Sequence, residues 1–167
     1  MKTIKCHIPS SSLLQAYLPG DYADSFCVVS SQEVSVTPDD LLISFWTDMP
    51  GWVDALFRIR GFLVRFVGLQ GEKGDNQKLE DCIRSGGKYS FIEIPLKDEN
   101  ETVMLMKDSH LNAYLSVRIE PDRCHVYANT LVTFNNKLGV FYFSVIKPFH
   151  AVVVRQMVKR VVKRSLK

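Results

Sequence analysis

The hydrophobic patterns along these 167 residues predict an α+β fold: a curved antiparallel sheet around a long C-terminal helix, with two helices after the first strand. Three observations carry that expectation. Helix signals gather between residues 37 and 67, period-2 alternation takes over from residue 89, and Phe149 to Leu166 is a basic amphipathic helix.

The elements follow in chain order. Leu13 to Leu18 makes a short helix stopped by Pro19-Gly20, and Ser25 to Ser30, with Phe26, Val28 and Val29, is the first strand. Thr37-Pro38-Asp39-Asp40 supplies an N-cap, a proline at the first helical position and acids in the first turn, which starts a helix from Asp39 to Thr47. After Asp48-Met49-Pro50-Gly51 a second helix runs from Trp52 to Val67, ended by Gly68. On it Asp54, Arg58, Gly61 and Arg65 share a narrow stripe, and apolar side chains beginning with Trp52 and Leu56 cover the rest, so it is expected to be buried. Arg60 is the one charge inside the apolar arc, and a partner is expected for it, an acid such as Glu93 or else a ligand carboxylate, because an unpaired buried charge is costly.

Gln70 to Lys88, rich in Gly and charge, is expected as a loop. Beyond it the candidate strands are Tyr89 to Leu96, Thr102 to Lys107, Leu111 to Glu120, Cys124 to Phe134 and Gly139 to Ile146. Leu111, Ala113, Leu115, Val117 and Ile119 alternate with Asn112, Tyr114, Ser116, Arg118 and Glu120, which puts one sheet face in the core and the other in solvent. The cover for the core face is the last segment, where Ala151, Val153, Val154, Met157, Val158, Val161 and Val162 share an arc opposite Arg155, Lys159, Arg160, Lys163 and Arg164. No repeat or linker divides the chain, so residues 1–167 are expected to form one domain. The element order is that of a helix-grip fold.

Composition is that of a globular chain: 46% apolar, 23% charged and 11% aromatic. The net charge of +3 divides unevenly, because residues 1–154 sum to −3 while the tail from Arg155 onward adds +6. The N-terminus lacks the continuous apolar run of a secretory signal, and Trp52 to Leu69 is broken by charges, so a cytoplasmic protein is expected. Cys6, Cys27, Cys82 and Cys124 form no CxxC pair and are expected reduced and mostly buried.

Several stretches resemble the bacterial domain of unknown function family 2867, placed in the SRPBCC or START-like superfamily. They are Leu18 to Phe26 (LPGDYADSF), Trp52-Val53 through Arg60 to Leu69, Asp108-Ser109-His110-Leu111, and Lys147-Pro148-Phe149-His150 with Ala151 to Val154. The last is the most specific, because Pro-Phe-His between a strand and a helix is uncommon; Gly61 and Ala151 depart from the family pattern. The resemblance implies a seven-stranded sheet curling round the long helix, often with an apolar cavity between them, and no established activity. It also implies a nicotinamide-dependent epimerase-like partner, which some family members carry as a fused domain.

The candidate catalytic residues are His110, Asp108 and His150. A carboxylate near a histidine orients the ring and raises its basicity, and Asp108-x-His110 places both residues on one side of an extended segment. The ordinary alternatives are a turn-capping Asp, a structural His110 and a junction residue at His150. Trp52, Arg60, Phe91, Met104, Met106, Tyr142 and Phe149 are candidates to line a ligand cavity. The four histidines lack metal-site spacing, so no metal is expected. There is no Gly-rich phosphate loop before a helix and no GxSxG elbow, so no cofactor is expected either. The basic helix face could meet an anionic membrane, but interleaved aromatics that stack on bases are missing, so no nucleic acid is expected. The leading expectation is a binding module for a small apolar ligand. Alternatives are a START-like enzyme using His110 with Asp108, and peripheral membrane association through the basic helix.

Overall fold

The computed structural model describes residues 1–56, 58 and 75–166. Seven strands form one antiparallel sheet: β1 (Lys2–Cys6), β2 (Tyr22–Val29), β3 (Lys88–Tyr89), β4 (Ile92–Lys97), β5 (Glu101–Lys107), β6 (Leu111–Ile119) and β7 (His125–Phe134), in the order β1-β2-β7-β6-β5-β4-β3. Helices α1 (Pro38–Thr47), α2 (Asn76–Ser85) and α3 (Lys137–Arg164) accompany it, with a 3-10 helix at Leu13–Tyr17. The open sheet with a long C-terminal helix is the helix-grip arrangement.

Helix α1 begins as its sequence requires. Thr37 accepts from the Asp40 amide, and the Asp40 side chain answers to the Thr37 amide, with Pro38 in the first turn. Beyond it the expected second helix is helical at 51–56 and 58, and its remainder, with Arg60, lies outside the described residues. Val53 is buried, but Trp52 is 42% exposed, so the apolar arc expected there is not uniformly covered.

Four expected elements are corrected. The first strand of the sheet is β1, ahead of the predicted one; its residues Lys2-Thr3-Ile4-Lys5 alternate weakly and it pairs on one side only. Within the expected loop Gln70 to Lys88 lies α2, capped by Asp75 and closed by Gly86 at φ 71°; few of its residues are apolar, but Leu79, Cys82 and Ile83 share the face that meets the core. The single strand expected at Tyr89 to Leu96 is a hairpin, because Ser90 at φ 53° turns the chain between β3 and β4. Pro95, lacking an N–H, coincides with a register irregularity between Glu93 and Leu96.

The fourth correction is the largest. Gly139 to Ile146 is no strand but the start of α3, which runs unbroken for 28 residues. Asn136 caps it by accepting from the Gly139 amide at 3.1 Å. Phe141, Tyr142 and Phe143 are therefore helical, and Lys147-Pro148-Phe149-His150 lies inside a helix instead of opening one. Pro148 has no N–H to give the Ser144 carbonyl, so the helix omits one internal bond there. Burial explains why a β-rich run is helical: Gly139, Phe143, Val154, Met157, Val158, Val161 and Val162 fall on one helical face against the sheet. Gly139 is required by contact, since a Cβ there would lie 2.0 Å from the His110 carbonyl oxygen.

The C-terminal half of α3 packs as expected, with its buried valines and Met157 joining Phe26, Val28, Leu115, Val117 and Leu41 in the main core. On the opposite arc Arg160 and Arg164 both pair with Asp48 at the end of α1. Helix α3 is also long and apolar enough to cross a membrane, by length and composition only, a test that the core helix of a folded domain passes as well.

The other sheet face is not solvent along its whole length. Ser116 and Arg118, expected outside, are buried there, as are Ser25, Asn129 and Glu101. A polar relay crosses the strands: Cys6 reaches Ser25, Ser25 donates to Asn129 at 2.6 Å, Asn129 to Ser116, and Ser116 to Glu101 at 2.6 Å. The 3-10 helix covers it, with Leu14 packed on Val103 and Leu131. All four cysteines are free thiols; Cys27 and Cys82 are buried, and Cys6 and Cys124 partly so.

Candidate functional site

The described residues line a cavity of about 690 Å³, within the roughly 300–1,000 Å³ of small-molecule sites. Its floor is the helix-bearing face of the sheet at Met106, Ala113, Leu115, Thr130 and Val132. One wall is the N-terminal half of α3, through Tyr142, Phe143, Phe149 and Val153. Another is the β3–β4 turn, where Tyr89, Phe91 and Ile92 stand, and α1 adds Phe45 and Trp46. The cavity exists there because the small and β-branched floor residues Ala113, Thr130 and Val132 face a helix held off the sheet by aromatic rings.

Of the candidate ligand residues, Phe91, Met106, Tyr142 and Phe149 line this cavity, and Phe91 and Phe149 are also 46% and 55% exposed. Met104 is fully buried in the main core and Trp52 lies outside the cavity wall. Arg60 falls outside the described residues. Glu93, the partner expected for it, is occupied by Lys107 at 2.9 Å and Lys88 at 3.1 Å, which hold its carboxyl below the usual range.

Both histidine candidates stand in the wall, each beside an aspartate. His110, 1% exposed, has Nδ1 3.1 Å from Asp108 Oδ1, but off the line of a good hydrogen bond, and neither ring nitrogen is satisfied. The Tyr142 ring meets it edge-on at 4.8 Å. Asp108 accepts from the Ser109 amide, so it caps the β5–β6 turn as well.

His150 is the better-ordered case. Its Nε2 lies 3.3 Å from Thr130 Oγ1 and 3.7 Å from Asp24 Oδ1, with the rings of Tyr22 and Phe143 around it. The Tyr22 hydroxyl donates to Asp24 Oδ2 at 2.5 Å. Burial by itself would raise the Asp24 carboxyl, but the contacts with His150, Tyr22 and Thr130 outweigh it and leave the carboxyl below its ordinary value. The Tyr22 phenol is pushed well up by burial and by that carboxylate. Sequence patterning did not single out Asp24, because the predicted strand began at Ser25 and left it outside; its neighbours across the sheet exist only in the fold.

The stretches quoted above for their resemblance gather at this cavity: the second lends Leu56 to its lining, the third and last line it too, and the first stands behind His150. Tyr22 and Asp24 come from the first, Asp108 and His110 from the third, and Phe149 and His150 from the last. A family model described as "Protein of unknown function (DUF2867)" matches residues 19–157, a span that takes in all of these side chains. The chain belongs to this family. No curated protein and no solved structure matches it. In this DUF2867 chain the first 18 residues, with the 3-10 helix that covers the sheet's outer face, precede the matched span.

The two Asp–His pairs meet α3 at different levels. Tyr142, against His110, and His150 are eight residues apart on α3, about 12 Å at the helical rise. Among the described residues no group of three or more His, Cys, Asp or Glu is placed to hold a metal ion.

Proposed function

We propose that this DUF2867 chain is a binding module that holds a small apolar ligand between the sheet and α3. The observation that supports this is the cavity itself, whose wall is largely apolar and aromatic with a few polar groups, the usual composition of a ligand pocket. In this reading the protein is a bacterial, cytoplasmic member of the START-like superfamily, working beside a nicotinamide-dependent epimerase-like enzyme. The helix-grip order and the sequence resemblance support that placement.

The test is displacement of the fluorophore N-phenyl-1-naphthylamine, with native mass spectrometry of the full chain as purified. The wild type binds the fluorophore, and Ala113→Phe, which fills the cavity floor, weakens that binding at least fivefold. A wild type that binds no apolar probe overturns the proposal.

A second reading is favoured by one observation, the closeness of His110 to Asp108 in the cavity wall. On it the protein is a START-like hydrolase or cyclase with His110 as acid or base. A co-purified molecule whose mass changes with the wild type but not with His110→Gln would establish it; identical masses would dismiss it.

A further inference from the structure

The apolar wall does not account for the Asp24 cluster. Asp24 is a carboxylate whose side chain is wholly buried, a costly state unless its oxygens are paired. Only Oδ2 is fully served, by the Tyr22 hydroxyl; Oδ1 has no full hydrogen bond among the described residues and faces Nε2 of His150. An ionised oxygen in that position favours the tautomer with its proton on Nε2. In that tautomer the lone pair is on Nδ1, and among the described residues no hydrogen bond reaches it.

We infer that His150, oriented by Asp24 through Nε2, is the polar anchor of the cavity, and that the ligand is a neutral amphiphile whose hydroxyl or phenol donates to Nδ1. Its apolar body lies along Phe149, Val153 and the sheet floor. This rests on the cavity being a ligand site and specifies what that site selects. A carboxylate head is disfavoured by the charges nearby. Asp24 and Asp108 are both acidic, and Lys107, the lysine in the wall, is already engaged by Glu93. Lys147 Nζ stands over the Tyr22 ring, 5.2 Å from its centroid, and Lys147 is not among the residues that line the cavity. A buried acceptor built to take a donor also rejects ligands that lack one, because the acceptor is then left desolvated and unpaired.

The experiment compares 4-octylphenol, octylbenzene and 4-octylbenzoate as displacers of the fluorophore from the full chain. The phenol is expected to bind roughly tenfold more tightly than octylbenzene, with the benzoate weaker than the phenol. In His150→Phe that preference disappears, while octylbenzene affinity stays within about twofold. Octylbenzene binding without a phenol preference, a benzoate that binds tightest, or a preference that survives in His150→Phe overturns the anchor and leaves the cavity reading standing. Failure of every apolar probe defeats both. A wild-type measurement guards against a variant that does not fold: with ¹⁵N-labelled histidine, the His150 Nδ1 resonance moves on adding 4-octylphenol and not on adding octylbenzene. An unmoved Nδ1 overturns the anchor.

Discussion

Glu101 and Ser12 are joined by a 2.7 Å hydrogen bond although 89 residues separate them, and it ties the N-terminal 3-10 helix to the outer face of the sheet. The same carboxylate, fully buried, also accepts from the Leu13 amide at 2.8 Å and from Ser116 at 2.6 Å, with the Arg118 guanidinium 3.6 Å away. Removing one partner of such a network strands the others.

Glu101→Ala is accordingly expected to cost about 3–5 kcal/mol, read as a lower urea midpoint at unchanged slope. Glu101→Gln keeps the volume and part of the bonding, and is expected to lose about 1–3 kcal/mol. Equal losses for the two would show that charge and hydrogen bonding matter less here than shape.

Gly139→Ala forces a methyl group against the His110 carbonyl. Since the contact is backbone, the helix must move, at about 1–3 kcal/mol. Because Tyr142 and Phe143 ride on the same turn, fluorophore binding should weaken with it. A variant as stable as the wild type would place the start of α3 elsewhere.

The basic face of α3 divides into engaged and free charges. Arg160 lies 3.3 Å from Asp48, and Arg164 reaches the other carboxylate oxygen. Arg160→Ala should lower thermal stability measurably, whereas Lys159→Ala and Lys163→Ala should stay within about 0.5 kcal/mol of wild type. If an anionic vesicle binds this face, those two lysines and Arg155 carry the attraction, and raising salt should release it.

Acid should test the same contact. Burial would raise the Asp48 carboxyl, but hydrogen bonds and charge from Arg160 and Arg164 hold it below its ordinary value. A depressed folded pKa contributes stability that is present above the unfolded value of about 3.9 and is lost as pH falls through the folded one. The stability difference between wild type and Asp48→Asn should therefore be constant near neutrality and shrink below about pH 4. A difference that grows on acidification would reverse the sign of the proposed coupling.

The amino-acid sequence by itself determined what local chemistry and period can encode. Thr37-Pro38-Asp39-Asp40 starts α1, alternation in 102–107, 111–119 and 125–134 marks the central strands, and the valine arc of the last helix names its own buried face. The tertiary structure decided the rest. Gly139 to Ile146 has β-forming residues on every side, so its period is ambiguous, and only a sheet waiting to be covered makes it helical; the Asn136 cap was the local signal that could have shown this. Ser116 and Arg118 look like solvent positions until the 3-10 helix folds over them. Asp24 and His150 are 126 residues apart in the sequence and meet because β2, β7 and α3 pack together. A sequence carries the preferences of each segment, but a site is a set of distances between segments, and packing alone sets those.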